Sequence, residues 1–136
     1  MDARERFASG RVARLATVGA DGAPHVVVVT FALDADVIYT AVDRKPKRTQ
    51  RLKRLANISH EPRVTLLVDH YDDRDWSRLW WARADGRARV IEPGQELHDR
   101  AVELLAARYE QYRSEPPSGP AIAVAVERWS GWSASS

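Results

Sequence analysis

Residues 11–42 read RVARLATVGADGAPHVVVVTFALDADVIYTAV, and this stretch decides the fold. VARLATV, residues 12–18, has the composition of a strand, and GADGAP after it supplies the Gly and Pro of a tight connection, so a hairpin is predicted. HVVVVTFAL, residues 25–33, is dense in β-branched and aromatic residues, as expected of a strand covered on both faces. After a turn at Asp34–Asp36, DVIYTAV returns the chain once more. The pattern predicts a three-stranded antiparallel meander.

Working outward, a short helix is expected around Asp2–Ala8. Downstream, Leu52, Leu55 and Ala56 fall at helical spacing within residues 47–57, and Pro62 stops the helix before RVTLLVDH opens another strand. SRLWWARADGRARVIE, residues 77–92, alternates well enough for a long strand or bent hairpin, with Asp85-Gly86 as its turn or bulge. Pro93 is expected in the first turn of a helix whose stripe is Leu97, Ala101, Leu104, Leu105 and Tyr109. SEPPSGP is a loop, and AIAVAVERWSGW makes the closing strand. Six to seven strands joined mostly by short turns, with two or three helices inserted, predict a mainly β, α+β antiparallel barrel and not a parallel βαβ array. The whole of residues 1–136 is expected to form one domain.

The charge is unevenly placed. The chain carries 21 basic and 19 acidic residues, and seven of the basic ones fall in Arg44–Arg54 with no acid among them. The rest of the chain is mildly acidic, so the cations form one local spot and not the spread coat of a general nucleic-acid binder. The first turn of a helix already carries partial positive charge, and each Lys or Arg placed there costs a few tenths of a kcal/mol, on the order of ~0.3. Arg44, Lys45, Lys47, Arg48 and Arg51 crowd that end. A multiply charged anion, held by these side chains, the backbone N–H groups and the Thr49 hydroxyl, would turn the repulsion into binding energy. The competing structural reading is a solvated basic face.

The chain has no cysteine, which removes disulfides, thiolate nucleophiles and Cys-based metal sites and fits a reducing, cytoplasmic setting. No signal-peptide core or membrane-spanning apolar run is present, so a soluble protein without a membrane partner is expected. Five tryptophans offer flat surfaces for stacking or for a subunit contact, and neighbours Trp80 and Trp81 must point to opposite faces of their strand. DHYDDRDW, residues 69–76, matches no EF-hand spacing and reads as an exposed loop, so no metal is expected. His25, His60 and His98 lack a paired ligand pattern and read as structural or solvated. No nucleophile elbow, zinc-protease helix, P-loop or dinucleotide fingerprint occurs. Any chemistry must come from a bound cofactor.

Taken in order, ARLATV followed by Gly-Ala-Asp-Gly-x-Pro, the basic segment after the third strand, PRVTLLVDHYDDRDW and LWWARADG resemble the pyridoxamine-phosphate-oxidase-like split β-barrel proteins, in particular their deazaflavin-dependent branch. The resemblance covers roughly residues 8–92. It implies an FMN-binding-like split barrel that forms a homodimer, with coenzyme F420, or alternatively FMN, held in clefts between the subunits. It implies that Thr30 and Phe31 lie beside the cofactor ring and that Lys45, Lys47, Arg48, Thr49 and Arg51 grip the phosphate. RLANI, residues 54–58, resembles the family's Lys-x-x-Asn-Leu element with Arg54 in place of the Lys, which keeps the charge and changes its geometry. Trp81 or Trp129 would complete the pocket, the latter from a partner subunit. Seven cations suit the phosphodiester and acidic glutamyl tail of the deazaflavin better than the single phosphate of FMN.

The implied activity is hydride transfer between the deazaflavin and a small organic substrate, with no catalytic acid or base assigned. Rival readings are a non-catalytic cofactor carrier on the same fold, an FMN or haem binder on the same barrel, and a small nucleic-acid-binding barrel. The last predicts steeply salt-dependent oligonucleotide binding and no retained chromophore.

Overall fold

The structure, a computed structural model, describes residues 1–42 and 48–135, with the side chains of 48–52 excepted. The described elements run α1 (Ala3–Ser9), β1 (Ala13–Val18), β2 (Pro24–Val29), β3 (Ala32–Asp34), β4 (Val37–Ala41), α2 (Arg48–His60), β5 (Arg63–His70), a 3-10 turn (Trp76–Arg78), β6 (Trp80–Ile91), α3 (Glu96–Arg108), α4 (Glu110–Ser114) and β7 (Ala121–Ser133). The seven described strands form one sheet in the order β2-β1-β5-β6-β7-β4-β3, and every neighbouring pair is antiparallel. The edge strands β2 and β3 are consecutive in the chain, separated by Thr30 and Phe31 alone. Two residues span only about 10 Å between strand ends. The sheet is therefore rolled, with its seam at Thr30–Phe31, and the predicted split antiparallel barrel is the fold found.

The expected meander is replaced by two hairpins. β1 pairs with β2 and β3 with β4, but β4 takes β7 as its other partner and never meets β2. HVVVVTFAL is broken because its polar groups at the seam bond elsewhere. The Thr30 carbonyl accepts from Thr40 Oγ1 at 2.7 Å, and the Phe31 carbonyl accepts from Arg108 at 3.1 Å. Nor is the run covered on both faces, for Val26 and Val28 are 60% and 62% exposed.

The inner face of the sheet holds the main core, where Phe7, Leu15, Phe31, Ile38, Leu66, Ile122 and Val124 are buried together. α1 closes one region of it: Phe7 packs on Phe31 and Trp129 at ring-centroid distances of 4.9 and 5.3 Å. Asp2 caps this helix by accepting from the Glu5 N–H. α3 lies on the outer face of β3, β4 and β7, where Ala101 meets Tyr39, Ile91, Ala121 and Ala123, and Leu105 meets Ala32 and Ala41. It begins three residues after Pro93, which instead precedes Gly94, a left-handed residue at φ 97°. Four α-helices are described, against the two or three expected, because the chain adds the short α4 before the SEPPSGP loop.

Gly86 marks the bulge expected at Asp85-Gly86. Asp85 faces Arg128 whereas Gly86 faces Val126, so Glu127 is the extra residue on β7. A β-carbon on Gly86 would sit 2.2 Å from the Ala125 carbonyl oxygen, an approach only glycine permits. The bulge divides β7: its first half packs against α3 and pairs with both β4 and β6, and its second half pairs with β6.

Candidate functional site

Helix α2 packs across β1 and β6. Of the predicted Leu52, Leu55 and Ala56, Leu55 packs against the core, the Leu52 side chain lies outside the described residues, and Ala56 departs from the prediction. Ala56 is exposed, whereas Arg54, Asn57 and Ile58 are buried. Ile58 joins the apolar core. Asn57 donates from its side-chain amide to Thr17 Oγ1 at 3.1 Å, a fully buried bond that pins the helix to the end of β1. His25 stands opposite Thr17 on β2. Burial, and then the charges of Lys53 and Arg54, hold its pKa below the ordinary histidine value. His25 Nδ1 is buried with no hydrogen-bond partner among the described residues. A polar, cationic cluster thus occupies the place where α2 meets β1 and β2.

A second group lies at the seam. Thr30 Oγ1 and the Tyr112 hydroxyl share a hydrogen bond of 2.8 Å. Tyr112 lines a cavity of about 540 Å³ together with Val42, Glu110, Gln111, Ser114, Glu115 and Pro117. Val42 directly follows β4, so this cavity lies where the chain leaves the sheet. Tyr112 and Tyr109 stack edge to face at 5.7 Å, and Tyr109 lends its hydroxyl to the Phe31 amide and carbonyl.

The predicted site residues fall into unequal groups. Lys45 and Lys47 lie outside the described residues, as do the side chains of Arg48, Thr49 and Arg51, whose backbone forms the start of α2. Arg54 continues the same helix and is 7% exposed. Thr30 borders the cavity group through Tyr112. Phe31, by contrast, puts its ring in the core with none of it exposed. Trp81 and Trp129 do not converge. Trp81 faces Trp132 on the outer side of the sheet, whereas Trp129 faces Ala84, packs on Phe7 and donates its indole N–H to Asp36 at 3.0 Å.

Sequence reasoning passed over Tyr112 and Arg108, read His25 as structural or solvated, and gave Tyr109 only a packing role. The Tyr109-x-x-Tyr112 spacing, one helical turn, was the available signal for two of them. His98, read as structural or solvated, is buried with Nε2 2.7 Å from the Gly119 carbonyl. In DHYDDRDW the carboxylates of Asp72 and Asp75 accept from backbone N–H groups of the turn they shape. Among the described residues no group of three or more His, Asp and Glu could hold a metal ion.

The groups gathered under α2 are mostly hydrogen-bond donors. The helix has no acid in its first turn, its inward face carries a guanidinium and an amide, and the His25 ring nitrogen lacks a partner among the described residues. Comparison with known proteins agrees with the fold. The family model described as pyridoxamine 5'-phosphate oxidase matches residues 2–133. The chain belongs to this family. Within the family's split barrel it is similar to a conserved hypothetical protein of Mycobacterium tuberculosis, at 22% identity over 96% of this chain and 81% of that one, with a TM-score of 0.74. It is also similar to the haem storage protein of Vibrio cholerae, at 16% identity over 96% of this chain and 90% of that one, TM-score 0.70. An FAD-binding protein of Mesorhizobium loti matches at 22% identity over 95% of this chain and 90% of that one, TM-score 0.66. No curated protein matches the chain in sequence. Among the described residues no helix is long and apolar enough to cross a membrane.

Proposed function

We propose that this chain is an oxidoreductase of the pyridoxamine 5'-phosphate oxidase family that uses coenzyme F420 and reduces a small organic substrate. The observation that carries the reading is α2: a helix that begins in a run of cations and continues with Arg54 and Asn57 buried against the barrel. Lys45, Lys47, Arg48, Thr49, Arg51 and Arg54 would hold the phosphodiester and acidic arm, and Thr30 would border the ring. The bound deazaflavin supplies a hydride; the chain's residues bind it, orient it and keep water from it. FMN is the second reading, favoured by the FAD-binding relative on the same barrel.

A second copy of the chain would complete the cleft. The outer face of β2 and β1 presents Val26 and Val28, with Val18 38% and Trp132 49% exposed on the same side of the sheet. A row of exposed valines on a sheet edge is a liability in a monomer and a natural core for a dimer.

Titration of the apo protein with F420 and FMN in parallel tests the proposal. F420 should bind more tightly, and Lys47→Ala with Arg48→Ala should weaken it by at least tenfold, about 1.4 kcal/mol, with the fold intact. Equal affinity of the double variant would remove the anchoring role of the basic segment. Binding of neither cofactor would remove the reading.

A further inference from the structure

The outer face of the sheet carries a second cavity, and among the described residues none of those predicted to hold the cofactor lines it. β6, β7 and β4 run side by side there. Their registers set two rows across the three strands: Arg87, Ala125 and Val37 in one, Arg89, Ala123 and Tyr39 in the next. Neighbouring strands are about 4.8 Å apart, so the two alanines floor a trough roughly 10 Å wide between the arginine stems and the Val37 and Tyr39 side chains. Leu97 of α3 also lines it. The cavity measures about 410 Å³, inside the span of roughly 300–1,000 Å³ usual for small-molecule sites.

One side chain in this trough is left incomplete. Tyr39 is 5% exposed, and its hydroxyl makes no hydrogen bond among the described residues. A buried tyrosine normally gives its O–H a partner, as Tyr109 and Tyr112 do in this chain. Packing alone asks only for phenylalanine there. Opposite it, across Ala123, Arg89 is exposed and has no ion pair among the described residues. Arg87 shares its charge with Glu127 at 3.4 Å, both side chains being more than half exposed. No acid lines the trough among the described residues. A guanidinium on one wall, a hydroxyl on the other and an apolar floor between them suit a ligand with one charged end and a dry body.

We infer that this trough binds a small organic acid with a flat or branched apolar body. Arg89 donates a charged hydrogen bond to the carboxylate, the Tyr39 hydroxyl donates to the same group, and the body lies on Ala123 and Ala125 beside Val37 and Leu97. Larger side chains at 123 and 125 would fill the space. A second copy of the chain is a poorer occupant, because a two-fold contact here would set Arg87 and Arg89 against their own counterparts. The trough is separate from α2 and from the cavity beside Tyr112, so the inference stands whether or not the deazaflavin is the cofactor.

The test uses the whole chain, isotope-labelled for NMR, with benzoate as the ligand. Benzyl alcohol supplies the same ring without the charge, and acetate the charge without the ring. Benzoate should shift the amides of Tyr39, Ala123 and Ala125 along a saturable curve, and the two controls should bind at least about tenfold more weakly. Arg89→Gln should weaken benzoate by a similar factor and Tyr39→Phe by less. Ala125→Leu, at an exposed position, should remove binding while circular dichroism shows the fold intact. Equal affinity for benzoate and benzyl alcohol overturns the site, as does an Arg89→Gln variant that binds like the wild type. So does benzoate that moves other amides and leaves these three unmoved. Should Ala125→Leu split a dimer in sedimentation while benzoate stays inert, the trough holds a second copy and the inference falls.

Discussion

Replacing Arg108 with Met tests how the seam of the barrel is held. The guanidinium of Arg108 sits at the end of α3 and donates to the carbonyls of Phe31 and Ala8 at 3.1 Å each, and to that of Gly10. It also lies over the rings of Phe31 and Tyr109, at 4.6 and 5.4 Å. One side chain thus joins α3, the loop after α1 and the β2–β3 junction. Burial first, and the neighbouring Arg11 charge second, push its pKa down against an opposing contribution from Tyr109, but an arginine stays protonated throughout the working range. Met keeps the apolar stem and removes the fork. Hydrogen bonds from a charged donor each contribute roughly 1.5–3 kcal/mol net. Phe31 O retains the Tyr109 hydroxyl at 2.9 Å, so two carbonyls lose a donor, and partial rehydration at the chain surface lowers the total. We expect Arg108→Met to cost about 3 kcal/mol, which for a domain of this size lowers Tm by about 10–15 °C. Urea unfolding with an unchanged slope measures it, and amide exchange at Phe31, whose N–H donates to Tyr109, should accelerate more than exchange in β5 or β6. A loss below about 1 kcal/mol would show the carbonyls are satisfied by water and that Arg108 clamps nothing.

Three further outcomes are expected. Gly86→Ala should destabilise by about 3 kcal/mol, the upper range for overpacking, because the added carbon meets the Ala125 carbonyl at 2.2 Å with only backbone to give way; wild-type stability would refute the bulge geometry. Glu61 should titrate near pH 2, since hydrogen bonds from the Arg63 side chain and backbone lower it from 4.5, and Arg63→Ala should return it toward that value in a carboxyl-carbon NMR titration. A depressed carboxylate stabilises the fold above its ordinary pKa and ceases to do so as pH falls, so any contribution from this pair disappears between pH 4.5 and about 2. Finally, Val26→Glu with Val28→Glu should convert a dimer to a folded monomer in sedimentation equilibrium, and a wild-type chain that sediments as a monomer at every concentration would remove the proposed partner.

Much of the fold was legible because its signals are local. Gly22 and Pro24 punctuate a two-strand unit, Asp85-Gly86 sits where the long strand bulges, and the stripe on α3 has helical period. The partner of each strand was not legible. HVVVVTFAL is apolar on both sides of its break, and only the side chains of Thr40, Arg108 and Tyr109, outside that run, show that residues 30–31 leave the ladder. The site divides in the same way. A run of cations is visible by inspection, whereas the pairing of His25 with Thr17, and of Thr17 with Asn57, exists only once β1, β2 and α2 are assembled. Phe31 shows the limit of carrying a role over by resemblance. The resemblance puts Phe31 beside the cofactor ring, whereas its side chain points inward to Phe7.

Two helices turn an arginine toward the barrel, buried Arg54 on α2 and half-buried Arg108 on α3, and the contrast bears on function. Arg108 faces main-chain carbonyls, so its charge is dispersed over dipoles the fold must place there in any case. Arg54 lies among Lys53 and His25, and the helix bearing it opens with cations and no acid. The seven cations of Arg44–Arg54, with no acid among them, repel one another along a short length of chain, and a polyanion that bridged them would relieve that repulsion at once, which the same charges scattered over a barrel surface would not allow.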